Sequence, residues 1–573
     1  MAQKIIVDPI TRIEGHLRLE VIVDDNNVVT DAYASSTLWR GIETIVKGRD
    51  PRDVPFFVQR ICGVCTSSHY RAGTIAIEDA LGITPPLNAI LTRTLMNAAL
   101  FLHDHPVHFY QLHALDFVDI VSALSADVRA AEEEAFKYCE TPYACGADHL
   151  KAVKDKVTAF VNKGALGPFA NAYYGHPTYH FTPEQNLIAL SHYLECLRVQ
   201  RTAAQLMAIF GGKQPHPQSL VVGGVTCVMD ILSPARLGEY MSKFKEVADF
   251  VNRAYYPDIV MAGKAYATEP SVLNDLGVAN LWTHKEMQYS SNEFLFDSGV
   301  ILNGDLSKVE DLDESQITEE ATHSWYKNDK PLHPYEGEQE PNYTGFKDEQ
   351  TLNAKGEMEN SKVLDTDGKY SWIKAPRYKG MPLQVGPLAN VVVNYAKGNK
   401  FVVPVVEKVL KDTGLPLTAV LSTLGRTACR MIEAKVIADN ALMALNNLVA
   451  NIKSGDTETC AKYTIDKNKE YKGRYMGHVP RGALSHWIRI KNGIVENYQC
   501  VVPSTWNASP KDNKGQMGSY EACIIGLKIA DLKQPLEIIR KIHSYDPCIA
   551  CAVHVMDTKG NDLSEYRVNP SYC

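Results

Sequence analysis

Two Cys-x-x-Cys pairs, Cys62/Cys65 and Cys548/Cys551, stand near opposite ends of a chain of 573 residues. A short turn brings positions i and i+3 together, so each pair can offer two sulfurs to one metal. Zinc ribbons keep their pairs roughly 15–20 residues apart, whereas here nearly the whole chain lies between them. A four-thiolate site built from both pairs requires a fold that carries its two termini to one place. Spacing alone leaves structural zinc and another metal equally open. The flanks add ionisable groups that a structural staple does not need. Arg60 precedes the first pair and His69 follows it; Asp546 precedes the second and His554 follows it. Charged groups around thiolates point to control of protonation and redox state.

Thirteen cysteines are too few for a disulfide scaffold of this length. With 45% hydrophobic and 22% charged residues, the chain has the composition of a globular protein with a large core. A net charge of −8 argues against a general nucleic-acid binder. No uncharged apolar run reaches the roughly 18 residues that a membrane-spanning helix needs. The opening MAQKIIVDPITR lacks the apolar core of a signal peptide, so any export is expected to depend on another chain.

Leu17, Leu19, Val21 and Val23 alternate with other residues and are followed by the polar turn Asp24–Asn27 and Val28-Val29, a hairpin pattern. The middle of the chain has helical periodicity. Thr182-Pro183-Glu184-Gln185 predicts an N-cap, a proline at the first helical position and a capping box, and Gly211-Gly212 predicts the helix end. Similar stripes run through 87–105, where Pro106 is expected to end or kink the helix, and through 233–254 and 427–452. Residues 305–370 are polar, acidic and turn-rich, and are expected to form long surface loops. The fold class that follows is mainly α with a small N-terminal β portion (α+β), in one large domain whose termini meet at a metal site.

Three motifs carry a specific resemblance. Asp8 to His16, Arg60 to His69, and Asp546 to His554 (DPCIACAVH) together resemble the signatures of the large, catalytic subunit of nickel–iron hydrogenases, and the likeness covers essentially the whole chain. It is nearest to membrane-associated uptake hydrogenases of the periplasm. The resemblance implies nickel held by Cys62, Cys65, Cys548 and Cys551, with Cys65 and Cys551 bridging to an iron that carries carbon monoxide and cyanide. Soft thiolates suit nickel in a redox role.

The same resemblance assigns further residues. Arg481, in Pro480-Arg481-Gly482, matches the arginine that overhangs the open metal position, with Asp104 and Asp546 the carboxylates around it. Ser504, after Pro503, matches a residue that hydrogen-bonds a cyanide. His69 matches a histidine whose ring N–H contacts a bridging sulfur. Glu14 matches the first proton relay, receiving a proton by way of Cys548. Without the resemblance, Glu14 reads as an ion-pair partner of Arg12 or another cation, and Arg481 as part of an ordinary surface salt bridge. Glu43, His554 and the backbone carbonyl of Cys500 match ligands of a second, hard metal, usually magnesium.

In that family the mature chain ends at the histidine after the last cysteine. Residues 1–554 then form the mature domain, and 555–573 resemble an extension cut between His554 and Val555 by a maturation endopeptidase after nickel-insertion proteins have acted. The implied activity is reversible heterolysis of H2. Electrons would leave through an iron–sulfur small subunit, in a heterodimer or higher oligomer, to a membrane cytochrome b and quinone. The implied location is the periplasmic side of the cytoplasmic membrane, reached with the partner from a cytoplasmic precursor. The alternatives are a hydrogen-sensing regulatory homologue, the quinone-binding homologue in respiratory complex I, which lacks the cysteine pairs, and a zinc-stapled scaffold.

Overall fold

The computed structural model describes residues 3–549, apart from residues 165, 171, 274 and 353–357. Cys551, His554 and the 555–573 extension therefore lie outside the described residues.

The N-terminal hairpin forms and gains a third strand. Strands β1 (Gln3–Val7), β2 (Leu17–Val23) and β3 (Val29–Ser36) make an antiparallel sheet in that order. Asp24 closes the turn, its Oδ1 accepting from the backbone of Asn26 and Val28. Leu17, Leu19, Val21 and Val23 are buried as the alternation predicts. Arg18 and Glu20, on the other face, are buried as well. They pair with each other at 2.7 Å, and the segment expected to be surface loop covers them. Arg18 donates to the carbonyl of Lys362, and Leu364 N–H donates to Glu20.

That covering corrects the reading of 305–370. The segment contains strand Ile317–Glu320 and a hairpin of Lys347–Leu352 with Met358–Val363, and it buries Trp325, Tyr326 and Tyr370. Its few apolar residues are large aromatics set singly among polar ones, so no periodic stripe announces them.

The central helices include α1 (Thr66–Leu81), α2 (Leu87–Val107) and α3 (Pro183–Gly211). The capping box at Thr182 and Gln185 is present, and Gly212 caps the C-terminus at φ +79°. Pro106 does not stop α2. It sits inside the helix, which continues as wide turns through His108–His113. Proline removes one backbone donor, and the wider turn accommodates the loss inside a core that packs the helix on most of its circumference. The 233–254 stripe becomes α4 (Pro234–Phe250), extended by wide turns Val251–Tyr255. The 427–452 stripe breaks at Ala441 into α5 (Thr423–Asn440) and α6 (Leu442–Lys453).

A second antiparallel sheet, absent from the sequence reading, is built from β4 (Tyr471–Val479), β5 (Gly482–Lys491) and β6 (Ile494–Val501). The β portion is thus not only N-terminal. Strand β5 is buried on both faces, which removes the polar alternation that marks a half-exposed strand.

Helix α7 (Leu536–Ser544) then brings the C-terminal segment back to the first sheet, where Ile538 and Ile542 join Leu17 and Leu19 in one apolar cluster. Glu14 and Cys548 form a parallel bridge: Glu14 N–H donates to the carbonyl of Pro547 at 3.2 Å, and Ile549 N–H to that of Glu14 at 2.8 Å. The meeting of the chain's two ends is therefore built from backbone hydrogen bonds. Among the described residues, no helix is long and apolar enough to cross a membrane.

Candidate functional site

Cys62 leaves a tight turn in extended conformation, and Cys65 sits at the N-cap of α1. The backbone N–H groups of Val64 and Cys65 both point at Cys62 Sγ, each at 3.2 Å. Two donors and a helix N-terminus favour a thiolate there. Cys548 arrives from the other end of the chain, with its N–H donating to Ser504 Oγ at 3.1 Å. Its sulfur lies 3.3 Å from Cys62 Sγ and 3.9 Å from Cys65 Sγ, and all three are buried. These separations exceed the roughly 2.05 Å of a disulfide. They approach the roughly 3.8 Å expected of two sulfurs each about 2.3 Å from one tetrahedral ion. The donors present thus fit a metal.

The carboxylate of Glu14 stands 3.3 Å from Cys548 Sγ. Arg12 is engaged elsewhere, with Asp116 at 2.5 Å and the carbonyl of Leu112 at 2.6 Å. The ion pair that Arg12 could have offered Glu14 goes to Asp116.

Arg481 occupies the turn between β4 and β5 and is 4% exposed. It donates to Asp104 Oδ2 at 2.9 Å, and its Nε lies 3.1 Å from Asp546 Oδ1. Burial opposes its charge, but Asp546, Cys548, Asp104 and Cys65 hold it well above the ordinary guanidinium value. Asp546 is raised by its own burial against the pull of Arg481 and Arg430. Gly482 adopts φ +125°, and a Cβ there would meet the backbone N of Gly386 at 2.4 Å. Only glycine allows the close crossing that aims Arg481 inward. Arg481, His69, Ser504, Cys65 and Cys548 line one small cavity.

His69 faces that cavity from α1, and its Nδ1 lies 3.0 Å from His486 Nε2. Burial lowers its pKa to about 4. Nothing in the local sequence singles out His486, which reaches the site only through pairing of β5 with its neighbours.

Glu43 and Cys500 form a separate, adjoining cluster. Cys500 N–H donates to Glu43 Oε1 at 2.7 Å. Burial raises the Glu43 carboxyl to about 7, with Lys374 and the Cys500 hydrogen bond opposing and Glu319 adding to the rise. Lys374 lies 3.8 Å from Glu319 and donates to Gln499 at 3.0 Å. A carboxylate beside a backbone strand, with a second acid nearby, suits a hard cation. Lys374 and Glu319 were not expected here. Both belong to or border the segment read as surface loop, so proximity in space is the only signal. Of the expected site residues, Cys551, His554 and Val555 lie outside the described residues.

A family model described as nickel-dependent hydrogenase matches residues 40–554, and one described as HoxL-like matches 4–35. The chain belongs to the nickel-dependent hydrogenase family. Relatives of this hydrogenase include the quinone-reactive Ni/Fe-hydrogenase large chain of Wolinella succinogenes, 63% identical over 100% of this chain and 99% of the relative. The uptake hydrogenase large subunit of Rhizobium leguminosarum bv. viciae is 45% identical over 99% and 97%. Among solved structures, the Ni-Fe-Se hydrogenase of D. vulgaris Hildenborough superposes with a TM-score of 0.77 at 32% identity, covering 97% of this chain and 100% of that one. The protein is a nickel–iron hydrogenase large subunit, an enzyme of a family built around a nickel and iron centre, and the zinc-only staple is set aside.

Proposed function

We propose that this hydrogenase oxidises H2 in an uptake role, with Cys62, Cys65, Cys548 and Cys551 holding the nickel, and Cys65 and Cys551 shared with an iron bearing carbon monoxide and cyanide. When bound, that group supplies heterolytic cleavage of H2 and takes up its electrons. The observation that carries the reading is the placement of a carboxylate and a guanidinium at the same buried thiol cluster. Cys548 Sγ can hold a proton and pass it to Glu14 Oε2, 3.3 Å away. Arg481, kept charged by Asp104 and Asp546, orients diatomic ligands over the cavity. Ser504 fixes the Cys548 backbone and, with Pro503, lines the cavity wall. His69 presents an imidazole to the same space.

Glu43, the Cys500 carbonyl and His554 hold magnesium in this reading, and the shared position of Glu43 and Cys500 supports it. Cleavage between His554 and Val555 matures the chain; the nickel-dependent family match ends at residue 554, in keeping with that boundary. The maturation endopeptidase and nickel-insertion proteins are the corresponding partners. The electron path runs to an iron–sulfur small subunit and then to a membrane cytochrome b and quinone, on the periplasmic side. The quinone-reactive name of the Wolinella relative supports that order.

Infrared absorption of the purified, tail-processed complex tests the centre. Bands of metal-bound carbon monoxide and cyanide are expected, and their absence from processed protein would overturn the assignment. H2-dependent quinone reduction in membranes separates the uptake enzyme from a regulatory sensor, which would bind H2 without sustaining that flux.

A further inference from the structure

Behind His69 a second imidazole and a phenol continue inward. His69 Nδ1 lies 3.0 Å from His486 Nε2, and His486 Nδ1 lies 2.6 Å from the hydroxyl of Tyr498. The imidazole rings sit 5.2 Å apart, tilted by 33°. All three residues are buried. His486 is on β5 and Tyr498 on β6, two positions off direct register, so the sheet holds both rings against α1.

Each link has a direction. A phenol hydroxyl has one hydrogen to give. Among the described residues, His486 Nδ1 is the hydrogen-bond partner found for the Tyr498 hydroxyl. If the oxygen accepted instead, that hydrogen would be buried without an acceptor, so the favoured arrangement has the hydroxyl donating and His486 Nδ1 accepting. No carboxylate hydrogen-bonds to either imidazole among the described residues. A neutral His486 that accepts at Nδ1 carries its proton on Nε2 and donates to His69 Nδ1. A neutral His69 that accepts at Nδ1 carries its own proton on Nε2, the ring atom left for the cavity side.

We propose that Tyr498 and His486 are positioning residues that lock His69 in the Nε2–H tautomer, so that a donor and not a lone pair faces the thiolates lining the cavity. A lone pair pointing at a thiolate would repel it; a donor draws off charge and fixes the ring plane. The inference rests on the nickel–iron reading and adds to it what sets the direction of the hydrogen bond at His69.

The test uses the processed holoenzyme complex and three variants. Tyr498→Phe removes the hydroxyl at nearly constant volume. His486→Leu removes both links. His486→Gln restores them, because its amide can accept from Tyr498 and donate to His69. Tyr498→Phe and His486→Leu are expected to shift or split the carbon monoxide and cyanide bands and to lower H2 oxidation per nickel by about tenfold or more. His486→Gln is expected to return towards the wild-type spectrum. Bands and rates in Tyr498→Phe and His486→Leu that match wild type would overturn the lock. A wild-type enzyme without those bands would remove the nickel–iron reading, and the lock with it.

Discussion

The Glu14 carboxylate lies 3.3 Å from the sulfur of Cys548, its partner across 534 positions of sequence. A parallel bridge between the two backbones fixes that distance, so the contact does not depend on a flexible side chain reaching out. An acid held this way against a thiol can accept a proton at a defined point.

Replacing Glu14 with Gln keeps the shape and removes the proton carrier. H2 oxidation is expected to fall by about 10²- to 10⁴-fold, while nickel content and the infrared bands stay as in wild type. Dye-linked H2 uptake beside elemental analysis checks this, and full turnover in the variant would remove Glu14 from the relay.

Arg481 serves two acids at once, Asp104 and Asp546. Lysine preserves charge but not the planar fork, and Arg481→Lys is expected to lower turnover by about 10²-fold. Arg481→Leu removes the cation that two buried carboxylates share, leaving Asp546 only the more distant Arg430 at 3.9 Å, and is expected to cost about 3–5 kcal/mol of stability. Denaturant unfolding of the variants measures the second effect; a leucine variant as stable as wild type would mean the pair is not a structural element.

Glu521 gives the stability a pH dependence of its own. Its Oε1 accepts from Ala34 N–H and from the Tyr370 hydroxyl, both at 3.0 Å. Burial lifts its pKa from the ordinary 4.5 to about 8, against the lowering hydrogen bond from Ala34. The folded protein therefore keeps this carboxyl protonated where the unfolded chain has already ionised. The contribution to stability is full below the unfolded value and is lost as pH rises through about 8. Glu521→Gln is expected to flatten the fall in melting temperature between about pH 5 and pH 8. An unchanged slope in melts taken across that range would contradict the assignment.

Intact mass of the active large subunit is expected to end at His554. Active protein that retains residues 555–573 would show that the extension stays attached.

Local signals were legible where neighbours in sequence are neighbours in space. The Thr182 capping box, the glycine end of α3 and the first hairpin depend on residues within a few positions of one another, and they form as read. Pro106 marks a change of helix geometry and not a helix end, because the surrounding core carries the chain on through wide turns. The second sheet was invisible because burial on both faces erases alternation. The aromatic residues of the polar segment were invisible because single large side chains carry no period.

The sequence by itself determined the chemistry available: four thiols in two pairs, the acids and arginine of three motifs, and a composition able to bury them. Which groups face one another was decided by the tertiary structure. Arg12 could have paired with Glu14, two residues away, but the fold gives it Asp116 and leaves Glu14 to Cys548. Arg481 acquires its acids from α2 and from the C-terminal segment, and its aim from the crossing of Gly482 on Gly386. His486 and Tyr498 reach His69 only because β5 and β6 pack on α1. Hydrogen bonds and ion pairs act over a few ångströms, so a site gathered from both ends of the chain exists only after the core between them has closed.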